Sequence, residues 1–188
     1  MLRRCLTMFG IFLLFVGTIG LAFFLAEGGS QPSSNKVTWV DSKKLKNPQA
    51  LETGQVLDGQ GQKKVLASSR LKKPRVLIFW ASWCPDCQGT LPHLEALRKE
   101  YGKQVDFVFV NLVDGKREKE GAGQAYMKEK GYEFDFYWDP QMSWANQLGI
   151  EHIPTIIFQE ADGLVQTSFD QAMAYDQLAS EVKNLINK

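Results

Sequence analysis

The chain has 188 residues, 44% of them hydrophobic, and 22 basic against 21 acidic side chains give it a net charge of +1. This length allows a short apolar N-terminal segment and one domain of about 150 residues with a proper core. The balanced charge argues against a nucleic-acid-binding protein, and three cysteines are too few for a disulfide scaffold.

The N-terminal segment predicts a membrane anchor. Two arginines in residues 1–5 precede an uncharged apolar run over residues 6–26, about the length that a bilayer-spanning helix needs. The basic end places residues 1–5 in the cytoplasm and the rest of the chain outside the bacterial cell membrane. A cleaved signal peptide, giving a secreted domain, is the alternative. Cys5 is interpreted as incidental. Residues 27–36 predict a flexible linker, and residues 37–188 predict the domain.

Hydrophobic patterning after the linker alternates between strand and helix. Predicted strands cover residues 37–40 at an edge, a hairpin within 55–66, then 76–80, 105–113, 134–138, 155–158 and an edge hairpin through 164–165. Predicted helices cover 85–101, a segment from about Glu118 onward, 140–148 and 178–186. This order predicts an α/β fold with helices on both faces of a sheet.

Cys84 and Cys87 form a Cys-x-x-Cys motif between the predicted strand at 76–80 and the following predicted helix. Unpaired N–H groups and the dipole at a helix N-terminus favour a thiolate over a thiol. Pro85 suits the first helical position, where its missing N–H costs nothing. The spacing places both sulfurs within bonding reach, so we expect Cys84 to be the exposed nucleophile and Cys87 the inner, resolving thiol. A substrate thiolate would attack Cys84 of the disulfide, and a second would release the substrate oxidised.

A static structural pair or half of a zinc site is the alternative for these cysteines. Zinc requires two more ligands, and the chain offers only Cys5, His93 and His152 besides the pair. The sequence therefore predicts no metal, and no cofactor other than the redox-active cysteine pair itself.

The stretch Trp80–Cys87 resembles the WAxWCxxC signature of the thioredoxin superfamily. Within it, Trp83, Pro85 and Asp86 are expected to tune the reactivity of the two thiols. Pro92 matches the proline that kinks the following helix in that family. The resemblance implies a thioredoxin fold, in which a central mixed sheet is flanked by helices.

Further features resemble the membrane-anchored TlpA/ResA branch of the superfamily. These are the N-terminal β-hairpin and a central helix–strand insertion between Asp114 and Trp138. The Cys-Pro-Asp-Cys pair together with the anchor is similar to surface disulfide-forming oxidoreductases of the SdbA type in Gram-positive bacteria.

Residues 149–155 match the loop whose proline is cis in the thioredoxin fold. A cis bond before Pro154 would bring the backbone of Ile153 beside Cys84, where an extended substrate segment could pair with it. A trans proline opening a strand is the alternative. His152, next to this loop, is either a surface histidine or a titrating neighbour of the site.

The departures from the family pattern bear on the direction of electron flow. Thioredoxins carry a buried aspartate where this chain has Ile78, and ResA-like reductases a glutamate where it has Thr90. Those carboxylates relay the proton of the resolving thiol, so attack by Cys87 should be slower here, which favours a disulfide donor over a reductant. Asp86 should disfavour a thiolate at Cys84 and would make a milder oxidant. Alternatively, Asp86 replaces the missing relay.

Three functional hypotheses follow. The first is an extracytoplasmic oxidase, acting as a monomer, that forms disulfides in exported proteins and is recycled by a redox partner in the membrane. The second is a reductase of the same fold that acts on apocytochrome c cysteines or on wrongly formed disulfides. The third is a binding module whose cysteines form a static staple.

Overall fold

The computed structural model describes residues 45–187. The strands in this part of the chain are β1 (Gln55–Leu57), β2 (Lys63–Val65), β3 (Arg75–Trp80), β4 (Asp106–Val113), β5 (Phe136–Pro140), β6 (Thr155–Gln159) and β7 (Val165–Phe169). The helices are α1 (Pro85–Tyr101), α2 (Ala122–Lys130), α3 (Ser143–Leu148) and α4 (Tyr175–Ile186), with short 3₁₀ turns at Pro48–Glu52 and Ser68–Arg70. The predicted anchor, linker and strand at 37–40 lie outside the described residues.

The strands form one mixed sheet in the order β2-β1-β5-β4-β3-β6-β7. Strand β4 runs parallel to both β3 and β5, whereas β1–β2, β1–β5, β3–β6 and β6–β7 are antiparallel pairs. The predicted N-terminal hairpin, the parallel pair at the centre and the edge hairpin at the end are therefore confirmed. This is the sheet that the thioredoxin resemblance implies.

The core lies on both faces of β3, and every residue of that strand is buried. Successive side chains of a strand point to opposite faces. Accordingly Val76, Ile78 and Trp80 pack with residues of α1 and α4, while Leu77 and Phe79 pack with residues of α3. A strand that is covered on both faces needs a continuous apolar run. This explains the apolar residues 76–80, which directly precede the segment with the two cysteines.

The predicted helix from about Glu118 is wrong in its start, because α2 begins at Ala122. The segment before it is an ordered loop. The Asp114 carboxylate accepts the backbone N–H groups of Lys116 and Glu118 at 2.8 and 2.9 Å. Gly121 has a φ of 81°, which ends this loop in a left-handed conformation just before the helix.

The predicted elements at 134–138 and 140–148 are each shifted along the chain. Pro140 ends β5 rather than beginning a helix, and α3 starts at Ser143. No helix within residues 45–187 combines the length and the apolar character needed to cross a membrane.

Candidate active site at the start of helix α1

The two cysteines occupy the junction between β3 and α1. Cys84 is the N-cap of α1 and Pro85 its first residue, as the sequence predicted. The backbone N–H of Cys87 donates to the Cys84 sulfur at 3.3 Å, and the Cys84 thiol lies 3.5 Å from the carbonyl oxygen of Ile153. Both cysteines are described as free thiols.

Cys84 is more exposed than Cys87, as predicted, but it is less exposed than the sequence analysis expected for the outer nucleophile. Cys84 is 5% exposed and Cys87 is 0% exposed. The carbonyl of Ile153 covers part of the outer sulfur. Cys84 nevertheless lines a groove of about 360 Å³, from which a substrate thiol can reach it.

Burial raises the pKa of the Cys87 thiol well above its ordinary value, and the hydrogen bond with Cys84 raises it further. A backbone hydrogen bond at Ala81 opposes this effect, while the negative charges of Cys84 and Asp86 add to it. Cys87 therefore holds its proton firmly in the reduced protein. An attack by Cys87 on a mixed disulfide requires that this proton first be removed.

The loop before β6 approaches the cysteines as predicted, and its Ile153–Pro154 peptide bond is cis. The hydroxyl of Thr155 donates to the carbonyl of His152 at 2.6 Å, which fastens the loop to the start of β6. Ile153 is half-buried and lines the groove next to Cys84. Its backbone is thus placed where the sequence analysis expected a substrate segment to pair.

The groove unites most of the predicted site residues. Trp83, Cys84, Asp86, His152 and Ile153 all line it. Pro85 is exposed in the first turn of α1, and Pro154 is buried behind Ile153. Side chains from distant parts of the chain complete the lining: Leu112, Asp114, Arg117, Met142, Ile150, Glu151, Asp170 and Gln171.

Residues 72–165 match the sequence model of the thioredoxin-like family, and this match includes the redox pair, the cis-proline loop and the central strands. The chain belongs to the thioredoxin-like family. It is 34% identical over 110 residues to a thioredoxin-like protein of Haemophilus influenzae, covering 58% of this chain and 62% of that protein. It is 30% identical over 111 residues to the thiol-disulfide oxidoreductase ResA of Halalkalibacterium halodurans, covering 58% of this chain and 60% of that protein. The chain thus spans about three fifths of the length of these relatives.

A solved structure confirms the fold of this thioredoxin-like domain. The secreted disulfide oxidoreductase of Mycobacterium tuberculosis, described as homologous to E. coli DsbE, superposes with a TM-score of 0.62 at 27% identity. The superposition covers 72% of this chain and 98% of that one. The resemblance to the ResA-like branch, stated above from motifs, agrees with these relatives.

The two family positions that lack a carboxylate in this thioredoxin-like protein are filled by ordinary packing. Ile78 is fully buried in β3. Thr90 is buried in α1, and its hydroxyl donates to the carbonyl of Asp86 at 2.8 Å. Neither side chain has a carboxylate that could accept the proton of Cys87.

Sequence reasoning missed a buried carboxylate beside the site. Glu118 is 0% exposed, and its oxygens accept the backbone N–H and the hydroxyl of Ser82 and the side-chain amide of Asn111. A glutamate among lysines and glycines in a charged segment gives no pattern that predicts burial. The apolar spacing that reveals core residues does not reveal a contact of this kind.

Of the residues that a zinc site would have recruited, Cys5 lies outside the described residues, and His93 packs against an aromatic ring. His93 lies on α1 against the ring of Tyr175, at 6.2 Å between ring centroids. Within residues 45–187, no three His, Cys, Asp or Glu side chains form a group suited to a metal ion.

Proposed function

We propose that this protein is a thiol-disulfide oxidoreductase that forms disulfides in exported proteins on the outer side of the cell membrane. The observation that carries the proposal is the unequal setting of the two sulfurs. The Cys84 sulfur accepts a backbone N–H at the start of α1, while Cys87 is fully buried and keeps its proton.

The reaction is a balanced exchange of one disulfide for another. A substrate thiolate attacks the Cys84 sulfur of the oxidised pair, a new S–S bond forms, and the Cys84–Cys87 bond breaks. The Cys87 sulfur leaves with the electron pair and takes up a proton. A second substrate thiolate then attacks the first substrate sulfur and expels Cys84 as a thiolate. The substrate has lost two electrons and the enzyme pair has gained them.

The setting of Cys84 favours this direction. The N–H of Cys87 and the N-terminus of α1 stabilise negative charge on the Cys84 sulfur, and that charge exists only in the reduced pair. Interactions that stabilise the reduced form make a dithiol–disulfide couple more oxidising. The missing relay carboxylates do not by themselves favour a disulfide donor, contrary to the expectation from the sequence, because attack by Cys87 and its expulsion share one transition state and slow together. Direction is therefore a matter of the reduction potential.

The location and partners of the proposed oxidase follow from the predicted span at residues 6–26, which would hold the domain outside the membrane as a monomer. Exported proteins with cysteines are the proposed substrates, and the groove beside Ile153 is the proposed place where an extended segment pairs. A redox partner in the membrane would reoxidise the pair. In this role the protein would resemble the SdbA-type surface oxidoreductases.

The reduction potential of the Cys84–Cys87 pair tests the direction. We expect a value of about −120 to −200 mV, measured by equilibration with glutathione buffers and mass spectrometry of alkylated samples. A value at or below about −270 mV would mean that the protein is a reductase instead. A pair that does not exchange with glutathione at all would support the static binding module.

Trapping identifies the substrates. The Cys87→Ala variant retains Cys84 but lacks the resolving thiol. An adduct that the Cys84 thiolate forms by attacking a disulfide of an oxidised substrate is then not released by Cys87 and should accumulate as a mixed disulfide. Non-reducing gels of exported proteins should show adducts that disappear with reductant. A Cys84→Ser, Cys87→Ala double variant is the matched control and should trap none.

A further inference from the structure

Ser82 lies between the two tryptophans of the motif, and its polar groups are held by side chains from two other segments. Its backbone N–H lies 3.1 Å from both oxygens of Glu118, and its hydroxyl donates to the same carboxylate at 2.7 Å. Its carbonyl accepts the side-chain amide of Gln88, in the first turns of α1, at 2.7 Å. The short connection from β3 to Cys84 is therefore fixed at its middle residue.

The partners of Glu118 are all hydrogen-bond donors. Besides Ser82, the amide of Asn111 at the end of β4 donates to the carboxylate at 2.6 Å and also reaches the carbonyl of Trp80 at 3.4 Å. The oxygens of a carboxylate only accept hydrogen bonds, and each of these neighbouring groups donates one to Glu118. Charge-assisted hydrogen bonds of this kind are stronger than neutral ones. The end of β3, the end of β4 and the active-site loop thus meet at one buried carboxylate.

Arg117, which precedes Glu118 in the chain, contacts the same active-site loop from its solvent-exposed side. The guanidinium of Arg117 lies 3.6 Å from the ring centroid of Trp83, while its side chain is 67% exposed to solvent. Such stacking over an indole is attractive and covers one ring face. Two consecutive residues therefore contact two consecutive residues of the active-site loop. Glu118 accepts hydrogen bonds from Ser82 on the buried side, and Arg117 stacks over Trp83 on the groove side.

We infer that Glu118 is a positioning residue of the thiol-disulfide exchange, and that it acts through Ser82 to hold Cys84 in line with Cys87. The loop around Asp114 therefore contributes to the redox site by placing Glu118 against Ser82. The inference rests on exchange at Cys84 and not on the direction of that exchange. Glu118 does not touch the sulfurs, so its effect is on geometry.

In-line attack between sulfurs depends on alignment, and a small misplacement of reacting groups lowers rates strongly. In Glu118→Gln, one carboxylate oxygen becomes an NH₂ group that cannot accept. A single oxygen is then left for the Ser82 N–H and the Asn111 amide, and the Ser82 hydroxyl must turn from donor to acceptor. The loop should loosen while the sheet and helices stay folded. We expect the step in which Cys87 resolves a mixed disulfide on Cys84 to slow by about tenfold.

The test follows the full-length reduced protein after mixing with glutathione disulfide. Acid-quenched mass spectrometry separates formation of the Cys84–glutathione adduct from its decay to the internal disulfide. Slower decay in Glu118→Gln, with a folded circular-dichroism spectrum at the assay temperature, is the expected result. Ser82→Ala should slow decay by a smaller factor, and the double variant should be no slower than Glu118→Gln, since both act through one contact.

Glu120→Gln makes the same chemical change at an exposed position two residues away and should decay at the parent rate. A Glu118→Gln protein with a lower melting temperature but an unchanged decay rate would show a merely structural role and overturn the inference. If the parent protein forms no adduct on Cys84, the inference and the proposed function both fail. If the parent protein forms adducts and Glu118→Gln resolves them at the parent rate, only the inference fails.

Discussion

Cys84 and Cys87 stand three residues apart, yet they meet different surroundings at the start of α1. The N-cap position gives Cys84 a backbone N–H donor and a place on the groove. One turn later, the helix carries Cys87 among core side chains, and burial raises its pKa. One short motif thus supplies an outer sulfur that lines the groove and an inner sulfur that burial keeps protonated.

Asp86, between the cysteines, acts on the inner thiol through its charge. It is exposed, and it is one of the negative groups that raise the pKa of Cys87. Asp86→Asn removes that charge and should lower the pKa of Cys87, so that more thiolate is present at a given pH. We expect adducts on Cys84 to resolve about two- to fivefold faster at pH 7, measured by the same quenched-flow mass spectrometry.

The relay alternative for Asp86 makes the opposite prediction. If this carboxylate delivers or accepts the Cys87 proton, Asp86→Asn should resolve adducts more slowly. Asp176→Asn changes an acidic residue in the first turn of a different helix, α4, and should leave the rate unchanged. The sign of the change therefore decides between a purely electrostatic effect and proton transfer.

Among the helices and strands, those whose hydrophobic residues follow a local periodic pattern were predictable from the sequence. The apolar run ending at Trp80 and the spacing of leucines after Cys87 gave the strand, the helix and the junction between them. The helix predicted from about Glu118 begins only at Ala122, because Asp114 and Gly121 impose a loop that local helical spacing does not reveal. Contacts such as that of Glu118 with Ser82 join residues 36 positions apart, and single-sequence patterns carry no signal for them.

Helix α1 contains one glycine whose side-chain position is open. Gly89 lies in the first half of α1 on its exposed side, and a Cβ added there would meet nothing within 4 Å. Alanine in a helix is more favourable than glycine by roughly 0.5–1 kcal/mol. Gly89→Ala should therefore raise the free energy of unfolding by about that amount in urea titrations and leave the exchange rate unchanged.

Gly149 provides the contrasting case in the loop that leads to Ile153. Its φ is +74°, and an added Cβ would lie 2.7 to 2.8 Å from carbons of the Lys46 side chain. Gly149→Ala should lower the free energy of unfolding by about 1–2 kcal/mol because alanine is strained in that conformation. Equal stabilities for the two alanine variants would contradict this account of both positions.

At the scale of the whole molecule, the burial of Cys87 is a property of the entire sheet and its covering helices. Side chains of β3, α1, α2 and α4 share one core cluster with Cys87. The inner thiol is therefore kept neutral by the same packing that stabilises the fold. This couples the stability of the reduced protein to pH.

The sign of that coupling follows from the raised pKa of Cys87. In the folded protein the thiol stays protonated to high pH, whereas in the unfolded chain it ionises near the ordinary cysteine pKa of 9.0. Above that pH the unfolded state binds fewer protons than the folded state, so the free energy of unfolding should fall as pH rises. Below it, the full contribution of Cys87 to stability is present. The expected slope approaches about 1.4 kcal/mol per pH unit for this one proton.

Urea unfolding of the reduced protein at pH values from about 7 to 10.5 measures this effect. Other groups of the protein contribute to the pH dependence as well, so the matched control is Cys87→Ala, which keeps those groups and removes only the inner thiol. The stability of the parent minus that of Cys87→Ala should be constant up to about pH 8 and then decline. A difference that stays level or rises at high pH would mean that Cys87 is not held neutral by the fold. The core would then be open to water at the point where the resolving thiol sits.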